Sequence, residues 1–147
     1  MNILFIEDES IKKDTILRFF KTLDKAISID TAESINRGIR YLYEKSYEFV
    51  FLDMSLPLFD HDSITDENNE FLPFGGVEIL DEVKRKKIDT KVIVITAYDV
   101  IEDGDHKQSL GQLDQTLRMD YSSIYVDSIF YNQTSEAWKE SIINIIT

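Results

Sequence analysis

The chain has 147 residues, with 16 Lys and Arg against 28 Asp and Glu for a net charge of −12, two His and no Cys. That length fits one domain able to bury roughly two-thirds of the surface its unfolded chain exposes, and the absence of Cys excludes disulfide frameworks, thiol nucleophiles and Cys-ligated metals. The acidic balance opposes nucleic acid, whose binding needs Lys and Arg to neutralise several phosphates. No apolar run approaches the ~18 residues of a membrane span, and the one after Met1 is too short for a signal peptide, so the expectation is a cytoplasmic protein with neither nucleic acid nor membrane as partner.

Along the chain, strand and helix patterns alternate. Ile3 to Ile6 is a continuous apolar run, as for a strand covered on both faces, and Ile16, Phe20 and Leu23 follow at helical spacing. A weaker strand, Ala26 to Ile29, precedes a helix marked by Ile35, Ile39 and Leu42, for which Thr31 is a candidate cap. Phe49 to Leu52 is again continuous. Next, Leu58 to Phe74 holds Asp60, Asp62, Asp66, Glu67 and Glu70 without a Lys or Arg. This acidic loop is about 14 residues longer than a compact turn would be, and it borders the end of the preceding strand, over which it is placed to fold.

Val77, Leu80 and Val83 mark a third helix whose basic end, Lys84 to Lys87, complements the helix dipole. Val92 to Ile95 is a fourth strand; Tyr98 to Ser109, rich in acids, joins it to a helix of Leu110, Leu113 and Leu117. A looser strand, Ile124 to Phe130, leads to a last helix of Trp138, Ile142 and Ile145, with Thr134 as candidate cap. Strand then helix, repeated, predicts an α/β fold: a doubly wound parallel sheet with helices on both faces. The whole, residues 1–147, reads as a single domain with an insertion at about 58–74.

In such a sheet ligands bind beyond the carboxyl ends of the strands, where strand order reverses. There the chain reads Glu7-Asp8-Glu9 after the first strand, Asp53-Met54-Ser55-Leu56-Pro57 after the third, and Thr96-Ala97-Tyr98 after the fourth. If those strands are neighbours, Glu7, Asp8, Asp53 and Thr96 converge. Carboxylates ~4 Å apart repel by about 4 kcal/mol at an effective dielectric of 20, so the cluster holds a proton or recruits a cation. Mg²⁺ suits it, taking oxygen ligands with one or two carboxylates, and Asp53 beside it is a candidate carboxylate nucleophile toward phosphorus. Taken singly, Glu7, Asp8 and Glu9 could do no more than cap the positive end of the helix that follows them, and Asp53 could be a turn residue.

Ile3-Leu4-Phe5-Ile6-Glu7-Asp8-Glu9, Phe49-Val50-Phe51-Leu52-Asp53-Met54-Ser55-Leu56-Pro57 and Val92-Ile93-Val94-Ile95-Thr96-Ala97-Tyr98 together resemble the receiver (CheY-like) domains of two-component response regulators. The resemblance implies a flavodoxin-like five-stranded sheet of order 2-1-3-4-5. It implies that Asp53 accepts a phosphoryl group from a histidine kinase or phosphotransfer protein. Asp8, Asp53 and the backbone carbonyl of Ser55 would ligate Mg²⁺, with Glu7 acting mostly through water. Thr96 would turn to the phosphoryl oxygen, drawing in a strand-five aromatic such as Tyr125 and reshaping a surface that a downstream protein effector reads.

One departure stands out. The family places a Lys at the end of strand five, yet no Lys or Arg occurs between Tyr121 and Ala137; the position falls on Tyr131 or Ser128. Lys107 is a candidate substitute from the loop after strand four. The leading expectation is an atypical stand-alone receiver, not an enzyme beyond its own phosphorylation and dephosphorylation. The alternative is a pseudo-receiver, an interaction module that is never phosphorylated. Mg²⁺-dependent phosphatases and nucleases of similar sheets want an acid two residues after the first, where Ser55 stands, and flavin binding wants a phosphate cradle where Glu7, Asp8 and Glu9 stand.

Overall fold

The computed structural model describes residues 1–61 and 69–147. Its elements in chain order are β1 (Asn2–Ile6), α1 (Ser10–Thr22), β2 (Ser28–Ala32), α2 (Ile35–Glu44), β3 (Phe49–Leu52), β4 (Leu56–Pro57), β5 (Phe71–Leu72), α3 (Gly76–Arg85), β6 (Lys91–Thr96), β7 (Val100–Asp103), β8 (His106–Ser109), α4 (Leu110–Asp120), β9 (Tyr125–Phe130) and α5 (Ala137–Ile146). The main sheet has five strands in the order β2-β1-β3-β6-β9, parallel throughout. Counting only those strands gives 2-1-3-4-5, the flavodoxin-like order.

The continuous runs of β1, β3 and β6 are apolar at successive positions because both faces of the sheet are covered. Leu4, Ile6, Val50, Leu52, Val92 and Val94 pack with α2, α3 and α4. Ile3, Phe5, Phe51, Ile93 and Ile95 face the other way onto Ile16 and Phe20 of α1 and Trp138 and Ile142 of α5. Alternate side chains of one strand thus serve two cores.

Local chemistry moves some boundaries. β2 starts two residues later than the expected Ala26–Ile29 and ends three later, because an edge strand tolerates polar residues: its Asp30 accepts hydrogen bonds from Lys45 Nζ at 2.6 Å and the Tyr47 hydroxyl at 2.7 Å. Thr31 therefore sits inside β2, and Ser34 caps α2, its hydroxyl accepting from the Arg37 N–H at 3.1 Å. Thr134 donates to Asn132 instead of capping α5, whose cap position is held by Glu136.

The two acidic loops are built as antiparallel arms. β4 and β5 pair Leu56 with Leu72 and Pro57 with Phe71; the Leu58 N–H continues the stem to the Glu70 carbonyl at 2.8 Å, and the Asn69 side chain brackets the Phe59 backbone with two bonds of 2.8 Å. The stem leans on α2, since Asp60 accepts from Ser34 and pairs with Arg37 at 3.1 Å. Asp62, Asp66 and Glu67, and whether that tip folds over the site, lie outside the described residues. Tyr98 to Ser109 forms the β7–β8 hairpin, where Asp103 faces His106 across a two-residue turn. Gly104 takes φ +60° there, the conformation such turns require at their first central residue. Among the described residues, no helix is long and apolar enough to cross a membrane.

Gly75 closes the insertion onto α3, its N–H donating to Leu72 at 3.0 Å. A Cβ there would meet Ile35 Cδ1 at 2.7 Å and the carbonyl oxygens of Leu56 and Leu72 at 3.2 Å. Gly75→Ala is expected to lower stability by about 1–3 kcal/mol through overpacking, read as a lower urea midpoint at unchanged slope. An unchanged midpoint would show that the stem yields freely.

Candidate functional site

Strand order reverses between β1 and β3: the chain leaves β1 for α1 on one face of the sheet and leaves β3 for α3 on the other. The carboxyl ends of these strands therefore open a crevice. Backbone bonds fix what stands in it. The Glu7 N–H donates to Ala32 of β2 at 2.9 Å, and the Asp53 N–H donates to Ile6 of β1 at 3.1 Å, so both acids continue their ladders past the last paired residues.

Glu7, Asp8 and Asp53 meet there, each offering a carboxylate oxygen within 4.8 Å of the others. Glu7 and Asp53 are buried and Asp8 is half-buried. Burial pushes the Glu7 carboxyl up to about 7, with Asp53 adding to the shift and Lys12 opposing it. Burial, and then Asp53, also raises Asp8. His61, at the end of the insertion's first arm, brings Nε2 to 3.8 Å from Asp8 Oδ2.

A cation that the sequence reading did not assign to the site stands among these acids. Lys12 is buried in the first turn of α1. Its Nζ lies 2.6 Å from Glu7 Oε1 and 3.2 Å from Asp53 Oδ2, and it donates to the Ile95 carbonyl at 2.7 Å. An ammonium has three donors, and three oxygens from three successive strand ends surround this one. Burial works against its charge, but Asp53 and Glu7 prevail and hold the Lys12 pKa above the usual lysine value. The signal was present in the spacing: Lys12, Ile16 and Phe20 repeat every fourth residue and are the buried residues of α1, so Lys12 occupies a core-facing position one turn ahead of the apolar stripe.

Thr96 ends β6 fully buried, its hydroxyl accepting from the Tyr98 N–H at 3.2 Å. The β3–β6 register, Leu52 against Val94, places Asp53 level with Ile95 and one residue short of Thr96. Ser55 is buried at the mouth of the insertion, its hydroxyl donating to Pro73 at 2.8 Å. Of the two positions considered for the missing strand-five cation, Tyr131 is the one at the site. Its N–H donates to Thr96 at 2.7 Å and its ring centroid lies 5.9 Å from Lys12 Nζ and 5.2 Å from Trp138. Ser128 instead hydrogen-bonds the Tyr125 hydroxyl, which also donates to Asp114 of α4 at 2.6 Å. Lys107 pairs with Glu102 across the exposed hairpin at 3.4 Å.

With Lys12 counted, the cluster carries a formal charge of −2. Asp53 Oδ1 is buried and has no hydrogen-bond partner among the described residues. An unpartnered carboxylate oxygen flanked by two further acids suits Mg²⁺, which takes hard oxygen donors and keeps several waters.

No family model matches the chain. An uncharacterized protein, y4jR, of Sinorhizobium fredii (strain NBRC 101917 / NGR234) is 28% identical over 144 residues, which are 98% of this chain and 95% of that protein. The Detocs response regulatory protein DtcB of Vibrio alginolyticus is 25% identical over 148 residues, 98% of each chain. Among solved structures, the response regulator protein TrrA from Thermotoga maritima, in complex with Mg²⁺ and BeF, aligns at a TM-score of 0.60 and 21% identity, over 98% of this chain and 97% of that one. The chain therefore has the flavodoxin-like fold of the response regulator receiver (CheY-like) domains, the family its motifs resemble.

Proposed function

We propose that the protein is an atypical stand-alone receiver, one domain over residues 1–147 with an insertion at about 58–74, working in the cytoplasm. In this reading it binds Mg²⁺, accepts a phosphoryl group on Asp53 from a histidine kinase or phosphotransfer protein in a two-component phosphorelay, and signals to a downstream protein through contacts. The observation that carries the reading is the buried Asp53 carboxylate, with Oδ1 unpartnered among the described residues and Glu7 and Asp8 beside it.

Asp8 and Asp53, with the Ser55 carbonyl, would hold Mg²⁺, with Glu7 acting through water. The bound ion would neutralise phosphoryl oxygens. An Asp53 oxygen attacks phosphorus; the new P–O bond forms as the P–N bond to the donor imidazole breaks, and the imidazole takes up a proton. Thr96, which now accepts from the Tyr98 N–H, turns its hydroxyl to a phosphoryl oxygen and releases that amide. The hairpin starts two residues beyond Tyr98, at Val100, and Tyr125 ties β9 to α4, so the change is passed to the α4–β9–α5 surface. The protein is then a signalling module, with no catalysis beyond its own phosphorylation state.

A second reading, the pseudo-receiver, is favoured by one observation: the Lys12 ammonium already lies against Glu7, Asp53 and the Ile95 carbonyl, which partly neutralises the pocket without metal.

Two measurements separate them. Incubation with Mg²⁺ and acetyl phosphate should add the mass of one phosphoryl group to the wild type and none to Asp53→Asn, with beryllofluoride moving amide resonances around Asp53 and Thr96 only when Asp53 is present. No mass gain and no Asp53-dependent shift would leave the pseudo-receiver. Separately, Asp8→Ala should remove the Mg²⁺ response of tyrosine and Trp138 fluorescence; an undiminished titration would take Asp8 out of the ligand set.

A further inference from the structure

Resting on Asp53 as phospho-acceptor, we infer that Lys12 in the first turn of α1 is the cation that pairs with the transferred phosphoryl group, and that Tyr131 packs over it where strand five would otherwise supply the charge. The geometry is specific. Among the described residues, Lys12 is the one whose cationic nitrogen lies within 4.0 Å of an Asp53 oxygen, at 3.2 Å. Its stem is enclosed, with the side chain 2% exposed, so the ammonium is aimed by packing. The neighbouring candidates are engaged elsewhere: Lys13 pairs with Glu33 at 2.7 Å and Lys107 with Glu102 at 3.4 Å.

Phosphoryl transfer strengthens the case. When Asp53 forms its P–O bond and the donor's bond to phosphorus breaks, one carboxylate charge gives way to a phosphoryl group bearing up to two negative charges at pH 7. Lys12 then has a stronger partner than the carboxylate it leaves, attached to the same side chain. The ammonium already stands 3.2 Å from Asp53 Oδ2, so the new partner forms beside it without the enclosed stem having to swing, while Glu7 and the Ile95 carbonyl stay in contact with it. Tyr131 contributes its ring face 5.9 Å from the ammonium, a cation–π contact that favours the charge without competing for phosphoryl oxygens. Its hydroxyl is buried without a hydrogen-bond partner among the described residues, so its place at the site is explained by the ring.

The test compares wild type and Lys12→Met, full chain, in saturating Mg²⁺. Labelling by acetyl phosphate, followed by intact mass, should slow by about ten- to a hundredfold in Lys12→Met, the value of one hydrogen bond to a charged group. Mg²⁺ affinity should be retained or increased, since removing the ammonium leaves the acids less neutralised. A crystal structure of the wild type with Mg²⁺ and beryllofluoride should place Lys12 Nζ within hydrogen-bonding distance of a fluorine, and it decides the matter even where Lys12→Met does not fold. Wild-type labelling rates in folded Lys12→Met, parallel loss of Mg²⁺ binding and labelling, or an ammonium with no fluorine contact each overturn the inference. A wild type that takes no label overturns the phospho-acceptor reading and this inference with it, whereas a labelled wild type matched by Lys12→Met overturns this inference alone.

Discussion

Carboxylates brought to one crevice by parallel strands repel each other by several kcal/mol at protein-like dielectric, and the sheet here places Glu7, Asp8 and Asp53 in that position through backbone register. What makes the arrangement tenable is one buried ammonium. Lys12 balances one of the three negative charges, pairing with the acids that follow β1 and β3 and donating to a carbonyl of β6. A buried lysine in apolar surroundings would shed its proton; two adjacent carboxylates keep this one charged. The dependence is mutual, since removing one partner from a buried ionic group typically costs about 3–5 kcal/mol by stranding the others.

That ammonium also ties α1 to the sheet. Ile16 and Phe20 hold the helix by apolar contact with the face formed by Phe5, Phe51 and Ile93, and Lys12 fixes the end nearest the crevice by charge. The first turn of α1 has no acidic residue, and its cap position, Glu9, makes no side-chain cap bond. Glu9 instead gives its N–H to Glu7 Oε2 at 3.1 Å. The start of α1, with its positive dipole, thus lies next to Glu7. Helix dipole and Lys12 act in the same direction, both lowering the cost of gathering acids at the switch point.

The strands were legible because doubly covered strands must be apolar at every position, and Ile3–Ile6, Phe49–Leu52 and Val92–Ile95 are. β2 was displaced because an edge strand escapes that requirement and carries Asp30 and Thr31. The acids at the strand ends could be placed from order alone. Lys12 could not be placed by the same reasoning: searching for a cation along strand five follows sequence position, whereas a pocket at a switch point can be reached from any element that borders it. The repeat of Lys12, Ile16 and Phe20 on one helix face pointed inward, but a Lys at a helix start reads as solvated unless the apolar stripe is extended back one turn. Likewise, the acidic composition of Tyr98–Ser109 suggested a loop, while the turn residue Gly104 allowed a hairpin.

Two antiparallel arms leave the sheet close to the acid site, one after β3 and one after β6. The β4–β5 stem and the β7–β8 hairpin flank a shared cleft lined by Ser55, Phe71, Pro73, Tyr98 and Ile101, and the Phe74 ring meets His106 with centroids 4.8 Å apart. The arms are thus in contact through this pair. Each is also joined to the acid site at its root, the stem through Ser55, two residues after Asp53, and the hairpin through Tyr98, whose N–H is held by Thr96. Phe71 and Tyr98 stay largely exposed beside the cleft. From Thr96 the chain of contacts runs through the Tyr98 backbone to the arm bearing Val100 and Ile101 and on to α4 at the Ser109 cap, where the hydroxyl and Gln112 close a reciprocal pair of bonds at 3.1 and 2.9 Å.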